Sequence, residues 1–262
     1  MTDVITLAIV DSVATVTLNR PKALNALNRE MAEGLDRLFR DLERNGSVRC
    51  LVIRGAGDHF MAGGDIRYFQ QCLALPEPER EAEVAGVIKM VNDAAATLRR
   101  LPQPVVASIR GNVAGFGMSL VAACDLAVAA DDARFTQAYS QIATTPDGAN
   151  TFFLPRVIGL KRAAELSLLN SSLDADTALQ WGLINKVVAG DALEAETAGM
   201  ARRITQGSSQ AIAGVKALLN ASLKNTLEQQ LELEQASFVR CASGTDFREG
   251  LDAFVEKRRP VF

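Results

Sequence analysis

The sequence predicts an α/β protein with a mostly parallel sheet, because strand-like and helix-like segments alternate over residues 1–190. At the start of the chain, two β-rich stretches with alternating apolar residues, 4–10 and 13–18, predict a hairpin. The spacing of apolar residues then changes from the period of a strand to that of a helix, because the apolar residues of 28–44 fall on one helical face. This alternation is typical of α/β domains, in which helices cover a sheet.

Three further short apolar segments predict buried strands. They span residues 50–53, 105–109 and 126–130. The stretch 75–80, which contains two prolines and several charges, predicts an exposed loop before a helix that ends near Arg100. Asp125 stands directly before the third of these strands, where we expect it to cap a helix or support the sheet.

Helical periodicity follows the last of these strands. Helices are expected to begin near Asp147 and near Lys161, and a third is expected over 174–181. From residue 191 onward, three or four amphipathic helices carry the chain to its end, without a further strand signal. The chain is therefore predicted to consist of a core, 1–190, and a C-terminal helical region, 191–262.

Charge and local composition exclude several classes of protein. The chain carries 28 Lys and Arg against 31 Asp and Glu, a formal net charge of −3, which argues against general binding to a phosphate backbone. The longest uncharged run, 111–124, is too short to span a bilayer. The first residues include an acid where a signal peptide needs bases. We therefore expect a cytoplasmic protein that binds neither nucleic acid nor membrane.

Histidine and cysteine are too few for several kinds of catalytic or metal site. His59 is the single histidine, so a site with two or three histidine ligands cannot form within one chain, and any histidine-dependent triad must use His59. The four cysteines, Cys50, Cys72, Cys124 and Cys241, form no CxxC pair. Neither a metal site nor a disulfide framework is therefore predicted.

Two glycine-rich turns follow predicted strands. The first comprises 55–57 and 62–64, and the second comprises 111–117. Phe60 in the first and Leu120 after the second take the place of the third glycine of a dinucleotide-binding fingerprint, so neither turn fits that motif. Such turns can instead present backbone N–H groups to a developing oxyanion. Alternatively, the glycines only permit tight turns and close packing, and spacing alone does not separate the two interpretations.

Seven motifs are spaced along nearly the whole chain. They are 18–27 (LNRPKALNAL), 59–66 (HFMAGGDI), 101–107 (LPQPVVA), 111–117 (GNVAGFG), 124–127 (CDLA), 181–184 (WGLI) and 249–258 (EGLDAFVEKR). In this order they resemble the crotonase (enoyl-CoA hydratase/isomerase) superfamily. The resemblance implies a spiral of ββα units and a C-terminal helical trimerisation region, and hence a homotrimer or hexamer. It also implies an acyl-CoA thioester as substrate, with coenzyme A carried by that substrate and no separate cofactor.

Carried over residue by residue, the resemblance assigns an oxyanion hole and a surface for coenzyme A. The two donors that stabilise an enolate correspond to the backbone N–H groups of Gly64 and Phe116, and Phe116 replaces a usual small residue. The residues expected against the substrate's coenzyme A are Lys22, Ala23, Leu24, Ala26, Ala62, Asp65 and Ile66. Lys22 is either a phosphate partner or a solvated loop lysine.

The two glutamates that hold water in family hydratases correspond to Ser119 and Tyr139, and neither of these is a carboxylate. A serine hydroxyl and a phenol are poor general bases at neutral pH. Ordinary hydration with two glutamates is therefore disfavoured. Both side chains are expected to line the acyl pocket instead.

Asp147 lies eight residues beyond Tyr139, in a Pro-Asp-Gly segment. Taken alone, that segment is also typical of a turn that caps a helix. An aspartate at this position resembles those of the ring-epoxide isomerases of phenylacetate catabolism and of some Δ3,Δ2-enoyl-CoA isomerases, where it shuttles a proton between carbons of an unsaturated thioester. One carboxylate suffices to move a double bond, whereas adding water usually needs a second group.

The sequence therefore predicts an enoyl-CoA isomerase with Asp147 as the proton shuttle. Two alternatives remain open. One is an atypical hydratase, thioester hydrolase or dehalogenase that uses Asp147, although superfamily dehalogenases pair this aspartate with a histidine and 88–92 contains none. The other is a catalytically silent homologue that binds acyl-CoA or RNA, and the net negative charge counts against RNA.

Overall fold

The computed structural model describes residues 4–262, which form two β-sheets and the helices that cover them. The strands are β1 (Ile5–Val10), β2 (Val13–Leu18), β3 (Cys50–Gly55), β4 (Met61–Ala62), β5 (Val105–Ile109), β6 (Asn112–Ala114), β7 (Leu126–Ala130), β8 (Arg134–Thr136), β9 (Ser172–Asp174) and β10 (Lys186–Val188). The helices are α1 (Arg29–Glu43), α2 (Ile66–Leu73), α3 (Glu77–Arg100), α4 (Phe116–Ala123), α5 (Asn150–Ile158), α6 (Leu160–Leu169), α7 (Ala175–Trp181), α8 (Leu193–Thr205), α9 (Ser209–Ser222), α10 (Leu227–Ala242) and α11 (Thr245–Glu256). Short 3-10 helices occupy Pro21–Ala23 and Tyr139–Ile142.

The two sheets are built by repeated crossings of the chain. The larger sheet has the order β1-β2-β3-β5-β7-β10 and the smaller one β4-β6-β8-β9. Neighbouring strands are parallel except in the pairs β1–β2 and β8–β9. The chain passes from the larger to the smaller sheet between β3 and β4, between β5 and β6, and between β7 and β8, and a helix follows each crossing. This spiral of ββα units confirms the predicted fold class.

The predicted hairpin, the helix after it and the three buried strands are all present. Asp11 and Ser12 have φ angles of 49° and 61°, as a two-residue turn that matches the twist of the strands requires. Helix α1 begins at Arg29 because the side chain of Asn28 accepts a hydrogen bond from the backbone N–H of Met31. Short turn and cap signals in the sequence therefore translate directly into element boundaries here.

The prediction of an exposed loop over 75–80 is wrong, because α3 begins at Glu77. Pro78 occupies the first turn of this helix, where its missing N–H costs no hydrogen bond. Glu77 and Glu79 also lie in the first turn, where their charge complements the helix dipole. Residues that suggested a loop are thus the N-terminus of a 24-residue helix.

The apolar core encloses α4 completely. Every residue of α4 is buried, from Phe116 at its first position to Ala123 at its last. The glycine turn that precedes α4 is therefore attached to a helix that is closely packed on all sides.

After β10 the described chain contains helices and no further strand, as predicted for the region from 191 onward. Helix α8 packs on the outer face of the larger sheet, where Ala201 joins an apolar cluster with Val52 and Val106. Whether 191–262 behaves as a separate unit stays a prediction. Within residues 4–262, none of the helices combines the length and apolar character that a bilayer-spanning segment requires.

Asp125 joins the C-terminal helices to the sheet. Its Oδ2 accepts hydrogen bonds from the backbone N–H of Val105, at 2.8 Å, and from Lys216 Nζ, at 2.7 Å. Its Oδ1 lies 3.1 Å from a guanidinium nitrogen of Arg99. Burial lowers the pKa of Lys216, and the carboxylate of Asp125 opposes that change. The expected supporting role of Asp125 is confirmed, and it holds α9 as well as the sheet.

We expect Asp125→Asn to lower the free energy of unfolding by about 3 to 5 kcal/mol, because Lys216 is then a buried charge without its partner. Urea unfolding followed by circular dichroism measures this loss. The matched control, Glu194→Gln, breaks the exposed ion pair with Arg54 and should cost less than about 1 kcal/mol. Equal losses of unfolding free energy in the two variants would show that the Asp125–Lys216 pair contributes no more to stability than an exposed ion pair.

The C-terminal helices expose many large apolar side chains in the single chain. They include Leu219, Leu227, Leu231, Phe238, Val239, Leu251, Phe254 and Val255. Exposed apolar surface of this extent usually marks a surface that another molecule covers. The homotrimer or hexamer expected from the sequence stays a prediction.

Candidate active site

The two glycine-rich turns meet in the folded chain. Gly63 and Gly115 have φ angles of +84° and +50°, in the left-handed region that favours glycine. A Cβ on Gly115 would lie 3.1 Å from the Cα of Gly63 and 3.9 Å from the backbone N of Gly64. The glycines at both positions therefore serve a close approach of two backbones as well as a turn.

The N–H groups of Gly64 and Phe116 are both left without a protein acceptor among the described residues. Next to Gly64, the backbone pairing with Leu27 uses the C=O of Gly63, at 2.7 Å, and the N–H of Asp65, at 2.8 Å, so it bypasses Gly64 itself. Phe116 is the first residue of α4, where a helical N–H has no partner within the helix. Two unpaired donors thus lie on touching turns, as an oxyanion hole requires.

The ring of Phe69 in α2 lies directly beside the first donor. A Cβ on residue 64 would come within 2.5 Å of Cε2 of Phe69, so an alanine there would displace the ring. The sequence analysis predicted neither α2 nor this contact. An alanine at position 64 would therefore fit only if the ring of Phe69 moved.

Ser119, Tyr139 and Asp147 form one hydrogen-bonded group. The hydroxyl of Tyr139 donates to Oδ1 of Asp147 at 2.7 Å, and the hydroxyl of Ser119 donates to the backbone oxygen of Asp147 at 2.9 Å. The two hydroxyl oxygens are 3.1 Å apart. Ser119 and Tyr139, the positions that correspond to the hydratase glutamates, therefore both form hydrogen bonds with an aspartate from another part of the chain.

The environment of Asp147 suits a group that must gain and lose a proton. Burial raises the pKa of Asp147, and the hydrogen bond from Tyr139 partly lowers it again. Burial and the charge of Asp147 also raise the pKa of Tyr139, so the phenol keeps its proton and acts as a donor. The carboxylate, and not the protonated phenol, is therefore the group of this pair that can accept a proton.

Asp147 does not cap a helix. Helix α5 begins at Asn150, later than the predicted start near Asp147, and its N-cap is Ala149 without a side-chain hydrogen bond. Gly148, at φ +58°, lies against the ring of Phe116, since a Cβ there would be 2.6 Å from Cε2. The structure thus places the aspartate beside the second donor turn.

Asn92 is a contact of this turn that the sequence did not reveal. Its Oδ1 accepts a hydrogen bond of 3.0 Å from the backbone N–H of Gly148. Asn92 is an exposed polar residue of α3, and nothing in the surrounding sequence distinguishes it from other exposed helical residues. Only the packing of α3 beside the 147–148 turn identifies it.

The residues expected against coenzyme A lie on two neighbouring segments. The backbone N–H of Ala62 donates to the oxygen of Leu24 at 3.0 Å, which joins the loop after β2 to β4. Asp65 caps α2 and forms an ion pair of 2.7 Å with Arg20, so its carboxylate is engaged within the protein. The remaining members of the set are Lys22, which is exposed, Ala23, which is half-buried, Ala26, which is buried, and Ile66, which is exposed.

Asn25 holds this loop in place, a role that the sequence analysis did not predict. Asn25 is fully buried, and its side chain donates to the backbone oxygens of Ala56 and His59 at 2.9 and 2.7 Å. Nδ1 of His59 in turn accepts a hydrogen bond from the backbone N–H of Asn112.

Among residues 4–262, no three His, Cys, Asp or Glu side chains come together as a possible metal site.

Residues 8–262 match the family model described as enoyl-CoA hydratase/isomerase. The chain belongs to this family, within the crotonase superfamily. The spiral of ββα units and the paired N–H groups of Gly64 and Phe116 agree with that membership.

Similar proteins carry names of two kinds. The 1,2-epoxyphenylacetyl-CoA isomerase of Escherichia coli K12 is 36% identical over 250 residues, which cover 95% of this chain and 94% of that protein. The trans-2-decenoyl-acyl-carrier-protein isomerase of Streptococcus mutans is 32% identical over 96% of this chain and 95% of its own length. The crystal structure of an enoyl-CoA hydratase from Mycobacterium smegmatis has a TM-score of 0.91 at 32% identity, and the match covers 99% of this chain and 98% of that one.

Proposed function

We propose that the protein is an enoyl-CoA isomerase in which Asp147 carries the proton and the N–H groups of Gly64 and Phe116 hold the enolate oxygen. The observation that carries the proposal is the position of Asp147. It lies beside the second donor turn, and the side chains of Ser119 and Tyr139 orient it. A general base must lie within reach of the carbon next to the carbonyl that the oxyanion hole binds.

The chemistry needs one base and one oxyanion hole. The carboxylate of Asp147 removes a proton from C2 of a 3-enoyl thioester, and the electrons of the C–H bond move to the thioester oxygen. The resulting dienolate is stabilised by the two backbone donors. The carboxylic acid then returns the proton at C4, which leaves the double bond between C2 and C3 and regenerates the base.

Hydration fits the same residues less well. Both hydroxyl groups near Asp147 donate hydrogen bonds to it, so neither replaces a glutamate as a base for water. The E. coli relative at 36% identity carries an isomerase name, which supports the proposal. The substrate's coenzyme A would lie along the Lys22–Ala26 and Ala62–Ile66 segments, which already adjoin.

A panel of 2-enoyl-CoA and 3-enoyl-CoA thioesters, analysed by mass spectrometry and ultraviolet absorption, tests the proposal. Isomerisation leaves the mass unchanged and produces a new conjugated enoyl band. A mass gain of one water would instead identify a hydratase. With ¹⁸O water, incorporation into a free acid would identify a thioester hydrolase. Binding without exchange of an α-proton in D₂O would identify a silent acyl-CoA binder.

We expect Tyr139→Phe to move the acidic limb of the kcat–pH profile to higher pH. The tyrosine hydroxyl lowers the pKa of Asp147, so its removal leaves the effect of burial less opposed and the pKa rises. The ionised base is lost as the pH falls through this pKa, so the loss of activity then begins at a higher pH. Measurement of kcat across a pH series tests this.

The other tyrosine provides the control for this variant. Tyr68 donates a hydrogen bond to Glu83, away from Asp147, so Tyr68→Phe should leave the acidic limb in place. An unchanged limb in Tyr139→Phe would mean that the hydroxyl does not tune the base.

A further inference from the structure

A single peptide group, the one that joins Asp147 to Gly148, is held at both of its polar atoms by side chains. Its oxygen accepts the hydrogen bond from Ser119, at 2.9 Å, and its N–H donates to Asn92, at 3.0 Å. Because a peptide group is planar and stiff, fixing both atoms fixes its orientation. The Cα atom of Asp147, which lies in the plane of this peptide group and bears the side chain, is therefore held as well.

The three groups that hold this turn come from separate elements. Ser119 belongs to α4, Tyr139 to the short helix after β8, and Asn92 to α3. Ser119 and Tyr139 are buried, whereas Asn92 is exposed. Asn92 is thus the one member of this set whose replacement leaves the packed core untouched.

The bond to Asn92 also connects the base to a long, well-anchored helix. Residues on both sides of Asn92, Val91 and Ala95, are buried in the core, so the backbone at position 92 is held firmly. No other protein group among the described residues accepts the N–H of Gly148. Without Asn92, that end of the peptide group is free to rotate towards solvent.

We infer that Asn92 is a positioning residue, which keeps the carboxylate of Asp147 aimed at the substrate by holding the N–H of Gly148. This inference rests on the proposed role of Asp147 as the base. Asn92 acts through the backbone of residue 148 and accepts no proton itself, because an amide side chain is not a titratable group near neutral pH. Its loss should therefore affect turnover and leave substrate binding nearly unchanged.

Three variants test the inference. Asn92→Ala removes the acceptor, and we expect kcat to fall about 10- to 100-fold with KM changed less than about twofold, since a misplaced catalytic group costs rate more than affinity. Asn92→Asp keeps an acceptor of the same shape and should restore kcat to within about threefold of the wild type. Lys89→Ala, an exposed change one turn earlier in α3, is the control and should keep wild-type kcat.

The readout is exchange of the α-proton of an acyl-CoA in D₂O, measured beside isomerisation and thermal unfolding. Exchange reports proton transfer by Asp147 whichever product forms, so it separates the two proposals. A wild type that exchanges the proton without isomerising would overturn the isomerase and leave Asn92 testable. Asn92→Ala with wild-type exchange, or Asn92→Asp as impaired as Asn92→Ala, would overturn the role of Asn92.

Discussion

Asp147→Asn is expected to reduce kcat for isomerisation of 3-enoyl-CoA substrates by about a thousandfold, with little change in KM. The amide has the same shape and its oxygen can still accept the hydrogen bond from Tyr139, but it cannot take a proton. General acid–base catalysis typically contributes 10²- to 10⁴-fold, and among the described residues no other carboxylate forms a hydrogen bond with Ser119 or Tyr139. Steady-state kinetics with a conjugated-enoyl assay measures the loss.

Asp131→Asn supplies the matched control, because Asp131 is exposed at the end of β7 and should not influence the reaction. Circular dichroism of both variants excludes a loss of fold. Full turnover in Asp147→Asn would remove Asp147 from the reaction altogether. Loss of exchange in D₂O in parallel with loss of turnover would place the defect at proton transfer.

Gly115→Ala is expected to reduce kcat by about 10²- to 10³-fold, the usual cost of losing one oxyanion donor. At φ +50° and ψ −121° an alanine is strained, and its Cβ would lie 3.1 Å from the Cα of Gly63. Relief of this contact separates the two turns and moves the N–H of Phe116 away from that of Gly64. The KM for the substrate should change much less than kcat, because the donors act chiefly on the charge that develops during reaction.

The control for this variant is Gly199→Ala, which adds the same methyl group inside α8 where nothing lies within 4 Å. That change should preserve activity and slightly stabilise the helix. If Gly115→Ala unfolds at a much lower temperature than the wild type, kcat is measured well below that temperature. Normal turnover there would contradict the assignment of the donors.

The parts of the fold that the sequence predicted are those with long or well-marked patterns. The hairpin around Asp11, the amphipathic α1 and the buried strands all show clear periodicity or turn chemistry. The strands of the smaller sheet have only two or three residues each, too few to show alternation. They are recognised only through their pairing with one another, which is a property of the folded chain.

For the site, the sequence identified candidate residues but not their connections. Resemblance to a family pointed to Gly64, Phe116 and Asp147, and the structure adds that Tyr139 and Ser119 hold Asp147. Those bonds depend on how α4 and the turn before α5 pack, and neither local propensity nor spacing contains that information. Local turn chemistry alone also suggested that Asp147 caps a helix. That alternative was wrong, because tertiary packing determines where α5 begins.

The packing of Phe116 against Gly148 joins the proposed oxyanion donor to the turn that carries the proposed base. Phe116 supplies a backbone donor, and its ring supports the turn that carries Asp147. Moving either partner shifts the other, so the energetic contributions of the two groups are coupled rather than independent. Combined changes at the donor turn and at the base should therefore cost less than the sum of the separate changes.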